Sequence, residues 1–111
     1  MLKIAISPAA SNLLRALIAR AGVSRDRILL TDVESVDWQS LTFTGERHHF
    51  SFRVPGPGSK AVVSRLCDGL EDAEFSIPRT LVADIAVVGN ARTAPDGSTV
   101  VTIEALTVSE D

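Results

Sequence analysis

VDWQSLTFTGERHHFSFRVP, residues 36–55, holds the only tryptophan, three of the four phenylalanines and both histidines of this 111-residue chain. The pattern is that of a β-hairpin, with Gly45-Glu46 in the place of a two-residue type II′ turn. Such a turn sets Leu41 opposite Phe50, Phe43 opposite His48, Thr42 opposite His49 and Trp38 opposite Arg53. Because side chains alternate along a strand, one face collects Leu41, Phe43, His48, Phe50, Phe52 and Val54 for a core. The other carries Trp38, Ser40, Thr42, Thr44, Arg47, His49, Ser51 and Arg53.

Towards the N-terminus, residues 26–33 alternate as a strand, with Glu34-Ser35 as a turn or bulge before the hairpin. Ahead of it, Ala10, Leu13, Leu14, Leu17, Ile18 and Ala21 recur at helical spacing. Ser7 suits an N-cap, Pro8 the first helical position and Gly22 the residue just beyond the end. Leu2, Ile4 and Ile6 alternate as a short opening strand. Towards the C-terminus, Pro55-Gly56-Pro57-Gly58 ends extended structure and Ser59 can cap a second helix, with the stripe Val62, Val63, Leu66, Cys67, Leu70 and Ala73. That helix is expected to stop near Glu71, leaving Asp68, Glu71, Asp72 and Glu74 at an end where the dipole disfavours acids.

A second hairpin follows, turning at Ala94-Pro95-Asp96-Gly97 with Gly97 in a left-handed position. Its inner face is expected to hold Leu81, Ala83, Ile85, Val87, Val101, Ile103 and Ala105. The opposite face takes Val82, Asp84, Ala86, Val88, Thr102, Glu104, Leu106 and Val108, more apolar than open water favours. These elements make one α+β domain: a two-layer sandwich of five or six mostly antiparallel strands with two helices on one face, a ferredoxin-like variant being the nearest common arrangement.

Composition narrows the function. Hydrophobic residues are 45% and charged residues 23%, which fits one globular domain rather than a disordered chain. The net charge of −3 argues against nucleic-acid binding, which needs clustered Lys and Arg. Residues 1–30 are nonetheless basic, with Lys3, Arg15, Arg20, Arg25 and Arg27 against Asp26 alone, and the remainder is acidic. Such polarity can steer self-association. The single Cys67 permits no internal disulfide or thiolate cluster and suits a reducing, cytoplasmic interior. No apolar run is long enough to span a membrane; the acid-free N-terminal stretch resembles an organelle transit peptide only faintly.

No residue set amounts to a catalytic signature. His48 and His49, adjacent on a strand, point to opposite faces and cannot share one metal ion, so no metal or cofactor is expected. His48 belongs with the phenylalanines, and Cys67 on the buried helix stripe is no nucleophile. The loop Gly56-Pro57-Gly58-Ser59-Lys60 lacks P-loop spacing. Two expectations follow. The first is a non-catalytic domain that binds a protein partner or ligand and forms a homodimer through an interface of Val82, Val88, Leu106 and Val108. The alternative is a small enzyme or anionic-ligand-binding protein with a pocket of Trp38, Thr42, His49 and Arg53, the tryptophan and arginine forming a cation–π pair.

Overall fold

The computed structural model describes residues 6–110, and Leu2 and Ile4 of the expected opening strand lie outside them. Helix α1 spans Pro8–Arg20 and begins as expected: Ser7 is extended and its Oγ accepts the Ala10 N–H at 3.1 Å, with Pro8 at the first position. Ala10, Leu13, Leu17 and Ala21 form its buried stripe. Helix α2 spans Ser59–Cys67. Gly58 takes the N-cap position, and Ser59, one residue further in, is buried against β5 (Thr99–Ser109), its Oγ 2.7 Å from Thr99 Oγ1. α2 ends earlier than expected, because Asp68 is extended and Gly69 turns left-handed at φ 67. Glu71 and Asp72 therefore lie in the first turn of a new 3₁₀ segment, Leu70–Asp72, which removes the expected dipole conflict for those two, while Asp68 stays at the α2 C-cap.

The two helices close each other's C-terminal ends. Arg20 of α1 donates from Nε to Leu66 O at 3.2 Å and from Nη2 to Asp68 O at 2.6 Å, while Arg65 of α2 donates from Nε to Ala21 O at 2.9 Å. Carbonyls that a helix leaves without partners thus receive positive donors from the neighbouring helix. Arg65→Ala or Arg20→Ala should each cost about 1–2 kcal/mol, read as a lower urea midpoint with an unchanged slope.

The sheet contains β1 (Leu29–Gln39), β2 (Thr44–Val54), β3 (Thr80–Val87), the two-residue β4 (Arg92–Thr93) and β5. Its order is β1-β2-β5-β3, with β4 also on β5, and every pairing is antiparallel. The five strands and two helices make the expected two-layer α+β domain, both helices lying over one face. His48, Phe50, Phe52 and Val54 of β2 point into that layer and are buried, as their alternation requires. They meet Ile85, Val101, Ile103 and Ala105 from the other strands and Leu13, Leu17, Val63 and Leu66 from the helices.

The first hairpin turns earlier in the chain than Gly45-Glu46 implies. Trp38 lies opposite Gly45 and Gln39 opposite Thr44, so the loop is residues 40–43. Ser40 closes it: its N–H donates to Phe43 O at 2.8 Å, and its Oγ accepts the Phe43 N–H at 3.1 Å. A serine able to bond its own backbone makes that turn without glycine. Leu41 and Phe43, expected in the core, are consequently exposed at the tip. β1 runs on through Glu34-Ser35 without a turn; its irregularity comes between Leu30 and Asp32. The second turn forms as expected, with Arg92 opposite Val100, Thr93 opposite Thr99, and Gly97 at φ 86.

Candidate functional site

With both helices on one face, no described element covers the other face of the sheet. Pairing across β1, β2, β5 and β3 lays its side chains in rows. At the hairpin-tip end, Trp38, Gly45, Val108 and Leu81 form an apolar row. Next come Val36, Arg47, Leu106 and Asp84, and then Glu34, His49, Glu104 and Ala86. Leu81 and Val36 are more than half exposed, at 53% and 55%. One end of the face is thus oily, and the middle alternates Arg47 with carboxylates.

The expected interface set divides. Leu106 and Val108 do face outward, Val108 already buried at the Gly45 approach, and Val88 is exposed where its N–H donates to Thr102 O at 2.9 Å. Val82 does not belong to this face. A bulge between Val82 and Asp84 shifts the alternation by one, so Val82 packs against the core and Leu81 turns outward. Strict period-2 counting through Ala83 hides this, and it hides Leu81 as an outer-face residue. Val36 was missed because the hairpin register was misplaced.

The four residues of the expected ligand pocket are brought together even less. Arg53 lies opposite Leu29, at the far end of the hairpin from Trp38, so the expected Trp38–Arg53 pair does not form. Arg53 instead donates from Nε to Ser98 Oγ at 3.0 Å and pairs through Nη2 with Asp96. Asp96 Oδ1 in turn accepts the Ser98 N–H at 3.0 Å, so Arg53 holds the second turn in shape. Thr42 sits in the exposed tip loop. Of the four, His49 lines a shallow concavity of about 190 Å³ with Asp32, Glu34, Arg47 and Glu104; its Nε2 is 3.9 Å from Asp32 Oδ2. Among the described residues no group of three or more His, Cys, Asp or Glu side chains is arranged to hold a metal ion.

His48 and Cys67 sit where their positions imply. His48 is fully buried, stacked on Phe50 with ring centroids 5.9 Å apart. Its Nδ1 is 2.7 Å from Ser35 Oγ and its Nε2 2.8 Å from Thr107 Oγ1. Burial pushes its pKa below the ordinary 6.5, with the Glu46 carboxylate opposing. Burial also raises the Cys67 thiol, helped by Asp68 and opposed by Arg20, which makes it a poor nucleophile.

No family model and no curated protein sequence matches this chain. A solved structure does: a chain of the virion of a native gene transfer agent particle, 18% identical, with a TM-score of 0.57 over 74% of this chain and 68% of that one. The likeness establishes that the fold is shared. Among the described residues no helix is long and apolar enough to cross a membrane.

Proposed function

We propose that this is a non-catalytic assembly domain that associates with a second copy of itself through the uncovered face of the sheet. The observation that carries the reading is the exposed apolar end of that face, where Val36, Leu81 and Leu106 lie in adjoining rows. Soluble domains rarely leave such a face to water. Arg47 lies one row from Glu34 and Glu104, so two copies related by a two-fold axis can set each arginine against the other's carboxylates. The lone, half-buried Cys67 supports a reducing interior as the place where the chain folds.

Sedimentation tests the reading. The wild-type chain should dimerise at micromolar concentration, and Leu106→Asp, or Val88→Asp at the rim, should raise the dissociation constant at least tenfold with an unchanged circular dichroism spectrum. A wild-type monomer at high micromolar concentration would rule the interface out.

A further inference from the structure

We propose a second, head-to-tail contact between copies of this chain, in which the β1–β2 hairpin tip of one copy docks into a groove beside α1 of another. The knob is unusual for a soluble domain. Leu41 is 107% exposed and Phe43 52%, at the end of two eleven-residue strands. Ser40 holds the loop closed through three hydrogen bonds, from its own N–H and to its Oγ, so the two apolar side chains are presented on a preformed turn. Little ordering entropy remains to be lost on docking.

The groove has the matching chemistry. Ile6, Leu14, Ile18 and Val23 line a cavity of about 510 Å³ whose rim carries Arg15 and Arg25. From α1 through the following 3₁₀ turn, Arg15, Arg20, Arg25 and Arg27 face Asp26 alone in the charge balance. The hairpin is the reverse. Its outgoing strand and tip, Leu29 to Glu46, carry Asp32, Glu34, Asp37 and Glu46 with no Lys or Arg, and Arg47 and Arg53 follow on the return strand. Asp37 and Glu46 lie directly opposite each other near the tip, a like-charge pair that costs stability in the isolated hairpin and is relieved by arriving arginines.

A tip that docks there must come from another copy. Arg25 of the groove lies just before the start of β1, whereas Leu41 lies beyond its far end. A strand of that length spans about 33 Å, so a chain's own tip cannot fold back into its own groove. Knob and groove are different surfaces, so each copy can engage two others, unlike the two-fold contact proposed for the open sheet face.

The test uses the full chain carrying Leu106→Asp, which disables the open face, so that the two contacts are read separately. In this background the chain should still associate in sedimentation. Adding Leu41→Asp with Phe43→Asp, both at the exposed tip, should raise the dissociation constant at least tenfold. Adding Ala19→Arg instead, at an exposed position in the groove, should do the same. An equimolar mixture of the tip-defective and groove-defective chains should form a one-to-one complex, since one intact tip and one intact groove remain. Arg15→Glu should weaken association, and Asp37→Arg should restore it in combination. The proposal is overturned if the Leu106→Asp chain is monomeric at high micromolar concentration, or if the two defective chains fail to pair. It is equally overturned if Ala19→Arg shifts the melting temperature without changing association, which would place a part of the chain itself in the groove.

Discussion

Gly45→Ala should lower the stability of this domain by about 3 kcal/mol, at the upper end of what overpacking a closely fitted site costs. The melting temperature should fall by roughly 10–20 °C in consequence. The cause is contact, not backbone freedom, since Gly45 is not in the left-handed region. A Cβ at this position would lie 1.9 Å from the Thr107 carbonyl oxygen and 3.0 Å from the Val108 Cα, both backbone atoms of the adjoining strand. No side chain can swing aside to make room, so β2 and β5 must part. Those strands pair from Gly45↔Val108 to Val54↔Thr99 and carry the centre of the core between them. Gly45→Val should be worse than Gly45→Ala. A loss below about 1 kcal/mol in a urea melt would mean that the two backbones separate freely at this end.

That glycine also explains why the first hairpin was only partly legible from sequence. A glycine followed by a polar residue between two alternating runs is a strong hairpin signal. Here the glycine serves a close approach between neighbouring strands, and Ser40 makes the turn. The alternation in β2 survived the error because both registers place His48, Phe50, Phe52 and Val54 on the same face. Trp38, Leu41 and Phe43 did not survive it, since their partners and surroundings depend on where the chain turns. The bulge at Ala83 acted likewise on Val82 and Leu81: period-2 counting cannot register an inserted residue. Helix α1 was more legible, because Ser7, Pro8 and Gly22 act locally and need no distant partner to take effect.

The same contrast separates the two functional readings. A ligand pocket needs several side chains to converge, and Trp38, Thr42, His49 and Arg53 are spread from one end of the hairpin to the other. An interface needs only that a face or a tip be left uncovered. The uncovered features here are apolar and charge-patterned: Leu81 and Val36 beside Arg47 on the sheet, Leu41 and Phe43 above Asp37 on the hairpin. The edge strand β1, with Asp32, Glu34 and Asp37, is acidic along its length, which discourages indiscriminate strand addition. Association through faces and tips then meets less competition from the β1 edge, whereas the β3 edge carries Asp84 alone.

Acid should loosen this domain through His48. Thr107 Oγ1 donates to Glu46 O at 3.4 Å, which leaves it to accept from His48 Nε2–H, so Nδ1 is the acceptor for the Ser35 hydroxyl. The neutral ring thereby ties β1, β2 and β5 together inside the core. Protonation puts a second N–H where Ser35 now donates and a charge where burial already disfavours one. Because the folded pKa lies below the unfolded value, the unfolded chain binds the proton first as pH falls. The stability His48 contributes is therefore complete above about pH 6.5 and declines as the pH drops through the folded pKa, by at most about 1.4 kcal/mol per pH unit. His48→Asn should abolish that slope between pH 7 and 5 while lowering stability at neutral pH. His48→Ala should cost about 3 kcal/mol at pH 7, through the cavity against Phe50 and the two hydroxyls left unpaired. Urea melts at a series of pH values decide it: a wild-type profile flat from pH 7 to 5 would mean that the buried ring accepts its proton without penalty.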